Sequence, residues 1–429
     1  MSALAWFTTA IFVGVYVLIA TERVHRVAAA LGGAAVVLVL GIVDSEQAFY
    51  SPETGIDWDV IFLLLGMMLV VGVVRRTGVF EYVAIRSAKI AGGKPYGVLV
   101  MLVLVTAVAS ALLDNVTTVL LVAPVTLLLC DRLGLAPIPF LVAEALASNI
   151  GGAATLVGDP PNIIIASRAG LTFTDFLMHM LPIVVVILAI FIAMARWMFR
   201  SALHGDPARA AALLALDERE AIKDSALLVR SGLVLAGILL GFLAQQQTGV
   251  APSVVALAGA GVLLAISPLQ AGELIDDIEW ETLLFFMGLF IVVGALVHVG
   301  ALEQLARGLA GVTGGEPRPT MLVILLGSGV ISAVVDNIPY VTAMSPVVES
   351  LINSNPVLGE NGGLWWALAL GADLGGNATI VGASANVVIA GIAARNGHHI
   401  TFATWLRYGV PTAVMSLVVC VPYVLMRYA

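Results

Sequence analysis

Five carboxylates stand within otherwise apolar stretches of this sequence: Asp114, Glu144, Asp159, Asp336 and Asp373. Burying an ionised carboxylate in lipid costs several kcal/mol, about 2.5–3.5 on insertion scales, so such residues are functional by default. Desolvation favours the protonated carboxyl, which suits a group that binds and releases protons. We therefore expect Asp114, Asp336 and Glu144 to be candidates for proton coupling. Alternatively, Asp114 and Asp336 cap half-helices, and a cap and a coupling site can coincide.

A second polar feature is the segment GGAATLVGDPPNIIIAS at 151–167. Its glycine pair, Gly151-Gly152, lets the chain leave helical geometry, and its two prolines remove backbone donors. Irregular backbone at membrane depth must line a protein-enclosed or wet cavity. The pattern predicts a broken helix over 139–167 and a counterpart over 364–394, around Gly375-Gly376, that together bind an ion or a polar solute. The alternative is that the glycines only permit close helix packing.

The composition predicts the element type that positions these groups. The 429 residues are 60% hydrophobic and 11% charged, so the lipid bilayer must act as solvent and partner. No basic residue precedes the first apolar stretch, 3–20, which we interpret as a retained helix. The sequence predicts an all-α polytopic membrane protein, and its clearest spans are 27–43, 59–74, 176–198, 231–246, 251–266, 282–297 and 402–426.

The chain contains an internal duplication. Residues 56–81 align without a gap with 278–303, and SALLDNVTTVLLVAPV (110–125) aligns with SAVVDNIPYVTAMSPV (332–347). After a slip of two residues, NIGGAATLVGDPPNIIIA (149–166) aligns with DLGGNATIVGASANVVIA (373–390). We expect a first repeat at 1–198, a cytoplasmic linker at 199–230 and a second repeat at 231–429.

The basic residues indicate that the two repeats are inverted. Five spanning helices and one re-entrant hairpin per half give an odd number of crossings. With the N-terminus outside, only Arg168, Arg307, Arg318 and Arg427 lie outside, and the other sixteen of the 20 Lys and Arg residues lie on the cytoplasmic side. Inverted repeats with interrupted helices are typical of secondary transporters. The sequence places no Lys or Arg in the hairpins or broken helices, which favours a cation, a proton or a neutral polar solute over an anion.

Other function classes find little support. GGKPYG (92–97) lacks the spacing of a nucleotide-binding loop, and no basic face suits nucleic acid. The six histidines show no metal-ligand spacing, and the two cysteines form no C-x-x-C motif. GASAN (382–386) has no histidine at matching depth for a hydrolase. We expect a transporter without enzymatic activity, cofactor or bound metal.

SALLDNVTT, together with SNIGGAATLVGDPPNIIIAS, resembles the ArsB/P-protein branch of the ion transporter superfamily, which includes arsenical pump membrane proteins. The resemblance runs over essentially the whole chain. It implies a scaffold domain and a moving transport domain with elevator-type alternating access, a homodimer in the cytoplasmic membrane, and in some systems a soluble ATPase subunit. The superfamily also contains sodium/proton antiporters and citrate and dicarboxylate carriers.

The resemblance also implies two polar sites. The first would use Asp114, Asn115, Thr117, Asn149, Thr155, Asp159 and Asn162, beside Gly151 and Gly152. The second would use Asp336, Asn337, Asp373, Asn377, Thr379 and Asn386, beside Gly375 and Gly376. Carboxylate carriers have Ser-Asn-Thr signatures at the hairpin tips, where this chain has Asp-Asn.

These features favour proton-coupled efflux of arsenite or antimonite, with the substrate taken from the resemblance. A sodium/proton antiporter and a citrate or dicarboxylate carrier of the same fold are the alternatives. A channel is disfavoured, because broken helices in inverted copies imply alternating access.

Overall fold

The computed structural model describes residues 2–21, 23–204, 209, 217–269 and 271–428, which are helical without a strand. Eleven of the 32 residues in the predicted linker at 199–230, namely 205–208 and 210–216, lie outside the described residues. The first half contains α1 Ala3–Ala20, α2 Arg26–Val39, α3 Ser45–Tyr50, α4 Trp58–Arg76, α5 Val79–Ile90, α6 Pro95–Leu112, α7 Asn115–Leu133, α8 Pro137–Gly152, α9 Pro160–Ala169 and α10 Phe173–Met198.

The second half repeats this order. It contains α11 Ser225–Leu243, α12 Gln245–Thr248, α13 Pro252–Ile266, α14 Ala271–Ile275, α15 Trp280–His298, α16 Ala301–Thr313, α17 Pro317–Ser332, α18 Asn337–Ser354, α19 Gly363–Gly375, α20 Ser384–Arg395 and α21 Phe402–Tyr428. Five crossings occur in each half, counting α8–α9 and α19–α20 as one interrupted span each. The predicted all-α inverted repeat is thereby confirmed.

The two halves exchange packing partners. Helix α4 packs on α13, and its repeat counterpart α15 packs on α2. Gly66 of α4 touches the backbone at Ala256, while its counterpart Gly288 touches the backbone at Ala30 in the same way. Helices α1, α2, α4, α11, α13 and α15 form the scaffold domain.

The transport domain contains the hairpins α6–α7 and α17–α18 and the broken helices α8–α9 and α19–α20. Each hairpin packs on the first arm of its own broken helix, α6 on α8 and α17 on α19. Each also reaches the other repeat, because α7 packs on α20 and α18 packs on α9. The centre of this domain is therefore built from both copies.

Seven helices of the described residues are long and apolar enough to cross a bilayer, and these include both arms of the first hairpin. Asn115 at the tip of that hairpin nevertheless meets the unwound centre of α8–α9, so the hairpin is re-entrant despite the length of its arms. Among the short helices that were not predicted, α5 and α16 are the longest. Each follows a glycine in the left-handed region, Gly78 with φ 81° and Gly300 with φ 69°, which turns the chain out of the preceding span.

Candidate functional site

Both unwound centres are held open by an asparagine side chain. The Asn162 amide donates to the carbonyls of Gly152 (3.4 Å) and Thr155 (3.1 Å). Its counterpart Asn386 donates to the carbonyls of Gly376 and Thr379, both at 2.9 Å. These bonds satisfy carbonyl oxygens that the broken helices leave without helical partners.

Hydroxyl groups tie each unwound segment to its hairpin. Thr155 donates to the Ala111 carbonyl at 2.6 Å, and Thr379 donates to the Ala333 carbonyl at the same distance. The predicted glycines make close backbone packing possible. A Cβ on Gly151 would lie 2.2 Å from the Ala107 carbonyl oxygen, and a Cβ on Gly152 would lie 2.6 Å from the Gly158 oxygen. Gly375 and Gly376 are equally confined, so the glycines permit close backbone packing as well as the unwinding.

The hairpin-tip aspartates cap helices, as the structural alternative predicted. Asp114 accepts a hydrogen bond from the Thr117 amide at 2.7 Å, and Asp336 accepts one from the Ile338 amide at 3.0 Å. Both side chains are half-buried, so each retains access to a solute at the tip.

Five asparagines and one aspartate form a single buried network at the centre. Asp159 Oδ2 accepts from Asn115 at 2.9 Å and from Asn337 at 3.3 Å, which joins the two hairpin tips. Asn115 also donates to Asn149 Oδ1 at 3.2 Å. Asn149 in turn donates to the side-chain oxygens of Asn377 (3.0 Å) and Asn386 (2.9 Å). The network therefore joins asparagines of the predicted first and second polar sites to one another.

Four acceptor oxygens beside this network lack a hydrogen-bond donor among the described residues. They are Oδ1 of Asp159, Oδ1 of Asn162, and both carboxylate oxygens of Asp373. Asp159 and Asp373 are at most 1% exposed and lie close enough to interact electrostatically. Buried acceptors without donors are costly, and a proton or a cation would satisfy them.

Two scaffold residues that the sequence did not single out reach the hairpin tips. Arg26, at the start of α2, donates to the Ser384 hydroxyl at 3.1 Å, and Ser384 donates to Asp336 at 2.7 Å. Glu279, just before α15, accepts from the Thr117 hydroxyl at 3.4 Å. The expectation about Lys and Arg concerned only the hairpins and broken helices, and Arg26 approaches the site from outside both.

The boundaries correct the statement that hairpins and broken helices lack Lys and Arg. Arg132, Arg168, Arg318 and Arg395 lie near the outer ends of α7, α9, α17 and α20, remote from the tips. Glu144 lies apart from the central network. The Thr126 hydroxyl donates to one of its oxygens, and the other has no partner among the described residues.

Two cavities approach the transport domain from opposite ends. The larger, about 360 Å³, opens beside the α1–α2 connection and is lined by His25, Arg26, Asp336 and Ser384. The other, about 160 Å³, lies between Glu53, Asp57, Arg168 and Glu349 at the opposite end of the scaffold. Of these two cavities, the larger reaches a hairpin tip, so this conformation opens on the side of the α1–α2 connection, which is the predicted cytoplasmic side.

Comparison with protein families adds an independent observation. The family model described as CitMHS, citrate transporter, matches residues 16–371. This chain belongs to that family. It is accordingly a multi-pass membrane transporter and not an enzyme.

Relatives of this CitMHS chain cover it almost completely. The 46 kDa membrane protein of Mycobacterium leprae is 53% identical over 97% of both chains. An uncharacterized transporter of Mycobacterium tuberculosis is 54% identical over 97% of both chains. The human P protein is 32% identical over 98% of this chain but only 59% of its own length. The P-protein part of the expected resemblance is confirmed, whereas the ArsB part stays a prediction.

Among solved structures, the YdaH transporter of Alcanivorax borkumensis has a similar fold. Its crystal structure, described as revealing an unusual topology, superposes with a TM-score of 0.63 over 94% of this chain and 95% of that chain. The sequences are 15% identical, so this likeness supports the fold alone.

Proposed function

We propose that this CitMHS chain is a proton-coupled secondary transporter whose coupling site is the carboxylate pair Asp159 and Asp373. The four donor-free oxygens at the buried centre support this assignment. One acid comes from each repeat, so the site is complete only when both copies meet. Because the charged pair is costly in a dry interior, proton binding and release change which conformations are accessible.

The substrate that fits this centre best is a neutral polyhydroxylated solute, arsenite or antimonite in the hydroxide form. Its hydroxyl groups can donate to the free carboxylate oxygens and accept from the asparagine amides. Negative charges at Asp114, Asp159, Asp336 and Asp373 disfavour a polyanion. With protons moving inward through the same site, the direction of transport is efflux.

Citrate or a dicarboxylate is the second candidate substrate. Its support is the family description together with Arg26, which lines the larger cavity and offers a guanidinium group to a carboxylate.

Uptake into everted membrane vesicles tests these assignments. The expected result is arsenite uptake that requires an acidic vesicle interior and is lost in both Asp159→Asn and Asp373→Asn. Asp44→Asn is the matched control, because Asp44 is an exposed cap of α3 whose hydrogen bond an asparagine can also accept. Uptake of labelled citrate without uptake of arsenite would replace the first candidate with the second. Equal arsenite uptake by wild type and Asp159→Asn would overturn the coupling site.

A further inference from the structure

The two hairpin-tip carboxylates are repeat counterparts, but their surroundings differ. Ser384 donates to Asp336, and Arg26 donates to Ser384, so a cation stands behind this carboxylate. The Arg26 guanidinium is also placed over the Phe285 ring, 5.6 Å from its centroid, which fixes it at this position. Arg26 is close enough to Asp336 to interact with its charge.

The repeat alignment identifies what stands in the same positions around Asp114. Ser384 corresponds to Pro160. Ala30 of α2 and Ala256 of α13 make the same close contact with the counterpart glycines Gly288 and Gly66. Counting back equally from these two alanines, Arg26 of α2 corresponds to Pro252 of α13. Neither proline can donate a hydrogen bond or carry a charge. Asp114 therefore has no equivalent of the Arg26–Ser384 pair.

Asp114 faces a carboxylate of the scaffold instead. Thr117 lies between the two acids, its amide donating to Asp114 at 2.7 Å and its hydroxyl donating to Glu279 at 3.4 Å. The charges of Asp114 and Glu279 are close enough to interact, and Asp159 also faces Asp114. Arg26 lines the same small cavity and interacts with Glu279. Two neighbouring carboxylates share one proton more readily than they carry two charges.

The ionisable groups around Asp336 are of a different kind. Besides Arg26, they are Asp159, the phenols of Tyr16 and Tyr340 and, across the same cavity, His25 and Glu281, which pair with each other at 3.4 Å. Phenols are neutral at physiological pH, so Arg26 is the charged group that balances Asp336.

We infer that Asp114 carries a second exchangeable proton, besides that of the Asp159–Asp373 pair, and shares it with Glu279 across the domain interface, whereas Asp336 stays charged against Arg26. This inference rests on the proposed proton coupling. Glu279 belongs to the static scaffold and Asp114 to the moving transport domain. Loss of the shared proton leaves two negative charges facing each other, which favours separation of the two domains. Proton release is thereby linked to departure from the conformation described here.

Flux measurements in proteoliposomes test this division of roles, with arsenite as the probe and an imposed pH gradient. Asn is a good helix cap, so both Asp→Asn variants keep their capping bonds. We expect the response of flux to the gradient to weaken in Asp114→Asn, in which the Asp159–Asp373 pair still couples. Asp336→Asn loses flux with and without the gradient, because Arg26 loses the carboxylate with which it pairs through Ser384. The double variant Arg26→Gln/Asp336→Asn recovers flux and its gradient response.

A pH profile separates proton sharing from a purely structural role of Glu279. Removing its charge makes Asp114 easier to ionise, so half-maximal flux in Glu279→Gln moves to a lower pH. An unshifted profile in Glu279→Gln would contradict proton sharing. A weakened gradient response in Asp336→Asn that Arg26→Gln does not rescue would reverse the roles assigned to Asp114 and Asp336.

Thermal unfolding of the purified variants keeps this test independent of the substrate. We expect a lower Tm for Asp336→Asn and restoration of the Tm in Arg26→Gln/Asp336→Asn. If wild type moves no arsenite but this rescue occurs, the substrate assignment fails and the charge pairing stands. If Arg26→Gln lowers the Tm of Asp336→Asn further, the inference is wrong.

Discussion

The two repeats are alike where they shape the backbone and unlike where they carry charge. Asn162 and Asn386 hold their unwound segments with equivalent bonds, as do Thr155 and Thr379. At the centre, however, Asp159 of the first repeat corresponds to Ala383, and Asp373 of the second corresponds to Asn149. Duplication supplied a symmetric frame, and the acids were divided between the copies. The difference indicates that the shape of the unwound segment is required in both repeats, whereas each acid of the central pair is required in only one.

The symmetric frame predicts the largest effect. A Cβ at Gly151 would lie 2.2 Å from the Ala107 oxygen, and one at Gly375 would lie 2.4 Å from the Gly329 oxygen. Backbone atoms cannot move aside without distorting the helices. We therefore expect Gly151→Ala and Gly375→Ala each to eliminate the monodisperse peak of folded protein in size-exclusion chromatography. Gly391→Ala is the control, since its Cβ meets nothing within 4 Å. Normal folding of either variant would contradict the close packing.

The asymmetric charges predict a separation of activity from stability. We expect Asp159→Asn to lose coupled flux while its Tm stays equal or rises. Asp159 is near the negative charges of Asp373, Asp336 and Asp114, so neutralising it relieves repulsion. An asparagine at this position can still accept from Asn115. Flux assays and thermal unfolding on the same preparation measure both effects, and a large fall in Tm would assign Asp159 a structural role.

The frame is not perfectly equal, which predicts a smaller, graded effect. Asn386 makes two bonds of 2.9 Å and also accepts from Asn149, whereas Asn162 makes bonds of 3.1 and 3.4 Å. We expect Asn386→Ala to lower the free energy of unfolding by ~3 kcal/mol and Asn162→Ala by less. Denaturant titration of both variants measures which substitution lowers the free energy of unfolding more. Asn396→Ala is the control, because Asn396 is exposed and loses only a local bond to Ile392. The reverse order would show that bond length does not decide the difference.

The smallest expected effect concerns the linker between the repeats, which contacts α5 of the first repeat. The Lys89 ammonium group, at 2.5 Å, lowers the pKa of Glu218. A lowered pKa means that this contact contributes at neutral pH and is lost as the pH falls through that pKa. Hydrogen exchange at the Lys223 amide, which donates to the Thr77 carbonyl at 2.9 Å, reports the contact.

We expect this exchange, corrected for its intrinsic rate, to quicken in acid for wild type and at all pH values in Glu218→Gln. Glu220→Gln, an exposed neighbour in the same turn, should match wild type. Identical exchange in wild type and Glu218→Gln would show that this ion pair does not hold the linker.

The sequence predicted most of the fold, because duplication and glycine placement are local patterns. Matching blocks around Gly151 and Gly375 located the broken helices, and the Asp-Asn dipeptides located both hairpin tips. The unpredicted helices α5 and α16 are amphipathic, so a search for apolar spans passes over them. Gly78 and Gly300, which align with each other in the repeat, were the sequence signal for where α5 and α16 begin.

The site was predicted by residue type but not by connection. The asparagines were identified, yet nothing in the sequence showed that Asn149 bonds across the repeats to Asn377 and Asn386. Arg26 and Glu279 were missed because they lie on scaffold elements far away in the sequence. Two weak sequence signals were available. Glu279 aligns with Asp57 in the repeat, so an acid stands at this position in both copies, and Arg26 is a lone arginine at the start of an apolar helix.

The claim that one acid from each repeat forms the coupling site is tested most directly by proton movement. Purified protein would be reconstituted in proteoliposomes that contain a pH-sensitive dye. Arsenite, citrate and sodium would then be added in separate experiments. The account predicts an arsenite-dependent change of internal pH in wild type and none in Asp159→Asn or in Asp373→Asn. A wild-type proton signal in either single variant would contradict it.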